Sequence, residues 1–212
     1  MILALSLLAS AGAPAGAAGA EASLEQVMHS LAESGSVRAT YRERRYVALL
    51  EEPIETGGTL FFQPPDRMAR RVESPERAWM AIRDDEVVLR NSRGEQRIDL
   101  GRSEVARSLV DGLAVVLRGD VALLTARYDV SFRADESRWQ IGLTPRADRS
   151  RTVIASLVID GAGDEIHRIE VREAGGDSTV TEFSGVETGL HFSPQEADEI
   201  FLLAPSPRPA HD

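Results

Sequence analysis

From Ser36 onward the chain alternates: Val37, Ala39 and Tyr41 interleave with Arg38, Thr40 and Arg42. A two-residue period turns one face of an extended segment to a core and the other to water. After a loop around Glu51-Glu52-Pro53, extended segments recur over Gly58 to Gln63, Arg67 to Glu73, Arg77 to Arg83, Glu86 to Arg90 and Glu95 to Leu100. They are punctuated by Pro64-Pro65-Asp66, Ser74-Pro75-Glu76, Asp84-Asp85 and Asn91-Ser92-Arg93-Gly94, residue types that fix φ or tolerate tight bends. This predicts a first meander of about six strands. A second run follows over Tyr128 to Arg133, Arg138 to Thr144, Thr152 to Asp160, Glu165 to Glu173 and Thr179 to Phe183, with turns at Gly161 to Asp164 and Gly175 to Asp177.

Two stretches carry a helical period instead. Leu24, Val27, Met28 and Leu31 form one apolar stripe, opened by Ser23 with Gln26 three residues on, a capping-box arrangement, and ended before Gly35. Between the two strand runs lies Ser103 to Ala126, with Val105, Ala106, Leu109, Val110, Leu113, Val116 and Leu117, an apolar surface too broad for one flank to cover. Gly119 is expected to stop that helix and Asp120 to cap a short second one. A sheet interrupted by one greasy helical insertion predicts a lid. The fold class is mainly β with an α lid: a large curved antiparallel sheet or open barrel of about eleven or twelve strands. The expected apolar cavity lies between a strand face bearing Leu60, Phe62, Met68, Trp139 and Ile141 and a helix bearing Leu109, Leu113 and Leu117.

The ends read differently. Residues 1–20 look like a signal peptide, with an apolar run from Ile2 to Ala11 and a small-x-small site at Ala18-Gly19-Ala20 before Glu21, although the charged leading region is missing. The run is short and rich in Gly, Pro and Ala for a membrane span. Residues 21–205 are expected to form a single domain, with Ile200 to Ala204 as its last apolar stretch and a loose Pro-rich tail over 206–212. A chain of 212 residues, 42% of them hydrophobic, is long enough for one sizeable core. The absence of cysteine removes disulfides, thiolate chemistry and an acylated anchor, which suits a bacterial periplasm, with cleavage after Ala20.

All 24 basic residues are Arg, against 34 acidic ones. That balance excludes a nucleic-acid backbone as the expected partner. Candidate chemistry is thin. His29, His167, His191 and His211 lack ligand spacing, so no metal is expected. Asp84-Asp85-Glu86 and Asp164-Glu165 sit at bends, where carboxylates solvate the turn, and Gly161-Ala162-Gly163 precedes a strand rather than a phosphate-binding helix. No Gly-x-Ser-x-Gly elbow is present, so neither catalytic residues nor a cofactor are expected. Arg70 is distinctive: it alternates with Met68 and Val72, so a regular strand aims its guanidinium at the apolar face, whereas a bulge or an edge strand turns it outward. A buried Arg is costly unless paired, and such a group latches a mobile element or meets a ligand headgroup.

Ser36-Val37-Arg38-Ala39-Thr40-Tyr41-x-Glu43, Gly58-Thr59-Leu60-Phe61-Phe62, Pro65, Pro75, the helical insertion, Trp139 followed by Pro145, and Phe201 with Pro205 resemble the outer-membrane lipoprotein carrier protein family, LolA, in order and spacing over nearly all of residues 23–205. The resemblance implies an incomplete antiparallel barrel of about eleven strands closed by helices. It also implies a hydrophobic cavity, carriage of lipoprotein acyl chains across the periplasm, an inner-membrane donor complex and an outer-membrane acceptor as partners, and action as a monomer. In the family an arginine that latches the lid directly precedes the proline after the Gly-Thr-Leu strand. Here that position is Pro64, which leaves Arg67 or Arg70 as substitutes and points to a divergent branch whose cargo extends to other lipids. Two other functions fit such a fold: a lipid-sensing module that binds partner proteins, and an enzyme acting on a hydrophobic substrate.

Overall fold

The computed structural model describes residues 22–83, 86–99 and 113–201. The strands are β1 (Ser36–Tyr46), β2 (Ile54–Gln63), β3 (Arg67–Ser74), β4 (Ala78–Arg83), β5 (Glu86–Asn91), β6 (Gly94–Asp99), β7 (Tyr128–Asp135), β8 (Arg138–Pro145), β9 (Ile154–Ala162), β10 (Glu165–Glu173) and β11 (Ser178–Leu190). They make one 11-stranded sheet in the order β6-β5-β4-β3-β2-β1-β11-β10-β9-β8-β7. Each pairing is antiparallel, from β1 against β2 to β7 against β8. Each meander therefore runs between the centre and one edge, and β1 meets β11 in the middle. The sheet stays open, with β6 and β7 as its edges.

That topology positions the insertion. The chain leaves β6 at one edge and re-enters at β7 on the other, so the segment between them connects opposite edges of the sheet. Its described part comprises α2, residues 113–117, and α3 (Val121–Arg127). Residues 100–112, and Leu109 with them, lie outside the described residues. Gly119 separates the two helices at φ +69, a left-handed conformation that glycine adopts without strain, and the Asp120 side chain caps α3 by accepting from the Leu123 N–H at 2.9 Å.

The register defines two faces. On the inner one, Val37, Phe62, Met68, Ile82 and Val87 stand opposite one another across β1 to β5. Phe132, Ile141, Ile159 and Ile169 do the same across β7 to β10. The second half is closed by α1 (Leu24–Glu33), whose Val27, Met28 and Leu31 pack with Val115, Val116 and Leu124 against Trp139, Ile141, Leu143, Leu157 and Ile159. Burying each of these large side chains contributes about 1.5–3 kcal/mol. The Ser23 capping box expected for α1 is formed, with Ser23 and Gln26 exchanging side-chain bonds to each other's N–H. On the outer face, Phe61, Ala69 and Ala81 are covered by Ala197 and Phe201 at the end of the chain's last described helix, and the Trp79 indole donates to the Ile200 carbonyl at 3.0 Å.

Three elements differ from the sequence expectation. β11 continues to Leu190 rather than ending at Phe183, because two one-residue bulges against β1 absorb the glycines that read as stops: Gly185 and Gly189 sit at φ +56 and +67 where the register shifts. A short α4 (Asp148–Arg151) bridges β8 and β9. A further helix, α5 (Pro194–Ile200), precedes the expected closing stretch and is started by a Ser193–Glu196 capping box with proline in its first turn; residues 202–204 of that stretch lie outside the described residues. Among the described residues, no helix is long and apolar enough to cross a membrane.

Candidate functional site

The inner face is not covered evenly. Over β7 to β9 it is sealed by α1, α2 and α3, but over β1, β2, β10 and β11 a cavity remains beneath α2. Its walls include Val37, Ala39, Leu60 and Phe62 from β1 and β2, with Leu113 and Leu117 from α2. Ile166, Ile169 and Phe183 close it from β10 and β11. The lining is apolar apart from Ser34, Asp164 and Thr188. About 50 Å³ is open to the centre of a water molecule, room for a few waters and far too little for a long acyl chain.

Local sequence explains this placement. Leu113 and Leu117 are one helical turn apart, so both fall on the face of α2 that meets the sheet. Leu113 packs against both inner clusters, the one beneath α1 and the one formed by Phe62, Met68, Ile82 and Val87, whereas Leu117 joins the second alone. Leu113 is thus the hinge point between a sealed half and a half with space in it.

Of the residues singled out from sequence, Leu60, Phe62, Leu113 and Leu117 converge on the cavity, and Met68 belongs to the same cluster just behind Phe62. Trp139 and Ile141 share the inner face but not the cavity: at 4% and 0% exposure they are sealed beneath α1 and residues 115–116. Val37, Ala39 and Phe183 are cavity residues that the sequence analysis did not single out, although the alternation around Val37 and Ala39 marks those two as facing the core.

Arg70 lies on the inner face, opposite Leu60 on β2 and Met80 on β4. Its Nη1 donates to Glu43 Oε2 at 3.1 Å, and its guanidinium carbon lies 4.2 Å from the centre of the Tyr41 ring. Glu43 also accepts from Thr181 at 3.1 Å and from Thr56 at 3.3 Å. Burial alone would lower the Arg70 pKa, but the Glu43 carboxylate and Tyr41 together outweigh it and hold the group above its ordinary value. Burial pushes the Tyr41 hydroxyl up, against the pull of the Arg70 charge. Arg67, by contrast, is exposed and donates to Gln63 at 3.2 Å. Neither Arg67 nor Arg70 hydrogen-bonds to residues 113–117.

The histidines do not converge. His29 pairs with Glu33 and His167 with Glu165, each at 3.3 Å on the surface, and His211 lies outside the described residues. Among the described residues no group of three or more His, Cys, Asp or Glu is placed to hold a metal ion. The site's chemistry is therefore that of a concave apolar surface with a charged pair set into one end.

Solved structures with a similar chain course include a LolA superfamily protein from Nitrosomonas europaea, 14% identical over 82% of this chain and 97% of that one, with a TM-score of 0.42. A putative outer membrane lipoprotein-sorting protein domain from Vibrio parahaemolyticus is 12% identical over 83% and 95%, with a TM-score of 0.49. The MucA/MucB complex of Pseudomonas aeruginosa contains a chain 12% identical over 81% of this one and 59% of its own length, with a TM-score of 0.47. No protein of curated function matches in sequence. The family model for outer membrane lipoprotein carrier protein LolA-like proteins matches residues 15–194, and the chain, with its open antiparallel sheet and helices laid across the inner face, belongs to that family.

Proposed function

We propose that the protein is a periplasmic carrier that takes up acyl chains of lipoproteins or other lipids between α2 and the inner face of β1, β2 and β11, and ferries them toward the outer membrane. The observation that carries this reading is the apolar cavity walled by Leu60, Phe62, Phe183, Leu113 and Leu117. Its small size supports a moving lid. A chain of about fifteen methylenes gains roughly 12 kcal/mol on burial at about 0.8 kcal/mol each, and a preformed pocket of full size would release it slowly. Displacing Leu113 and Leu117 from their clusters to admit the chain offsets part of that gain and keeps the cargo exchangeable.

The same reading has the chain exported with residues 1–20 removed after Ala20, acting as a monomer that receives cargo from an inner-membrane donor complex and yields it to an outer-membrane acceptor. Residues 21–205 are the working domain. Binding rather than catalysis is the activity, and no cofactor is required.

Native mass spectrometry of protein purified from the envelope of its own host tests this. A protein mass beginning at Glu21 with a co-purifying lipid or lipopeptide is expected. A lipid-free mass that stays lipid-free after incubation with host lipid extract would contradict it.

A further inference from the structure

A polar cluster on the inner face adjoins the cavity. Arg70 stands opposite Leu60, and Tyr41 stands opposite Phe183, both of them cavity residues. Within the cluster two donors are left over. The Tyr41 hydroxyl and the Arg70 Nε–H are buried and find no acceptor among the described residues, although Tyr41 is only 2% exposed. The guanidinium carbon lies 4.2 Å from the centre of the tyrosine ring, and Nη1 is committed to Glu43. A buried donor without an acceptor is costly, so the cluster is under-satisfied as it stands.

We infer that Tyr41 and Arg70 form a polar subsite that accepts the carbonyl oxygen of an acyl ester or amide, so that the cavity selects carbonyl-linked chains over plain alkyl chains. This rests on the acyl-carrier reading above and specifies its cargo. The charge state of the cluster sets the chemistry. Glu43 already neutralises Arg70, and Thr56 and Thr181 anchor the carboxylate on its other side. A phosphate or free carboxylate would therefore sit beside a fixed negative charge, whereas a neutral acceptor meets two unused donors and no repulsion. The subsite also has the reach it needs. Arg70 and Glu43 each keep 20% of their side-chain surface exposed, so the cluster borders open space, and a carbonyl reaches the covered Tyr41 hydroxyl and Arg70 Nε by a shift of these side chains. A chain lying along Leu60 and Phe183 would run directly beside their cross-strand partners, Arg70 and Tyr41.

The test compares two lipids that differ at one group: monopalmitoyl glycerol, an ester, and hexadecyl glyceryl ether, which lacks the carbonyl. Equilibrium binding of each radiolabelled lipid below its micellar concentration is measured for the parent chain and for Tyr41→Phe, which keeps the ring and removes the donor. The parent is expected to prefer the ester by about tenfold, the worth of satisfying a buried donor. Tyr41→Phe is expected to bring that preference to about threefold or less while leaving ether binding unchanged. Equal binding of the two lipids by the parent, or equal loss of both in Tyr41→Phe, would overturn the subsite and leave the carrier reading standing. Binding of neither lipid by the folded parent would overturn both.

Discussion

Glu43 on β1 and Arg70 on β3 pair at 3.1 Å across the intervening strand β2, above the place where β2 carries only Gly58. The glycine matters because a side chain there would meet the β3 backbone: a Cβ at Gly58 would lie 1.9 Å from the Arg71 carbonyl oxygen. Removing one partner strands the other charge in a largely dry site. Such losses reach about 3–5 kcal/mol for fully buried pairs. With a fifth of each side chain exposed, Glu43→Ala should cost about 1–3 kcal/mol, lowering the melting temperature by roughly 2–4 °C per kcal/mol. Thermal melts of Glu43→Ala, Arg70→Ala and the double variant check this, and a double variant that loses the full sum of the singles would contradict direct coupling.

Leu113→Asp should impair acyl uptake more than folding. The leucine packs against both inner clusters and lines the cavity, so a carboxylate there faces apolar walls when the site is loaded and finds water when α2 lifts. Binding of a fluorescent fatty-acyl probe should weaken by about tenfold or more in a variant that still melts cooperatively. Unchanged uptake would show that α2 does not line the site.

Gly161→Ala should destabilise the half of the sheet that carries no cavity. A Cβ there would lie 2.2 Å from Trp139 Cζ2 and 2.3 Å from the Glu165 carbonyl oxygen, so the indole and the β9–β10 turn would both have to shift. Overpacking of this kind costs about 1–3 kcal/mol. The Trp139 indole donates to the Gly163 carbonyl at 2.9 Å, and its fluorescence should change along with the melting temperature. A parent-like melt and spectrum would contradict the packing.

Acid sensitivity should depend partly on Glu170. Hydrogen bonds from Arg168 and then Arg172 hold its carboxyl below the usual carboxylate range. Because the native pKa is depressed, the stabilisation is complete above the unfolded value of about 4.3 and is lost as pH falls through the lower native value. Urea melts between neutral and strongly acidic pH should show Glu170→Gln less stable than the parent at neutrality, with the gap closing as pH falls below about 4. A gap independent of pH would mean that the carboxylate charge plays no part.

Much of the fold was legible because alternation is a local signal. The edges of β3, β5, β8 and β10 follow the apolar-polar pattern and their turn residues to within a residue or two. β11 was cut short because glycine reads as punctuation, whereas Gly185 and Gly189 serve bulges whose need arises only from pairing with β1. α5 was missed although Ser193-Pro194-Gln195-Glu196 is a capping signature: its apolar content is low, since it buries Ala197 and hands the packing to Phe201 just beyond its end. At the site, period alone places Leu60, Phe62 and Met68 on one face, whereas Arg70 stays open between inward and outward until the register of β2, β3 and β4 sets it inward. It had no means of separating Trp139 and Ile141 from them, because which half of a continuous inner face α1 seals is a tertiary fact. Nor was Glu43 identifiable as the partner of Arg70, 27 residues away, before the register of β1, β2 and β3 was known.

The central claim is that an acyl chain lies between α2 and the inner face of β1, β2 and β11, and photo-crosslinking tests it most directly. A palmitoyl probe carrying a diazirine along its chain is irradiated with the protein, and the labelled residues are mapped by peptide mass spectrometry with excess unlabelled lipid as competitor. Saturable labelling is predicted at Leu60, Phe62, Phe183, Leu113 and Leu117. Saturable labelling confined to the outer face around Phe61, Phe192 and Phe201, or no saturable labelling at all, would contradict it.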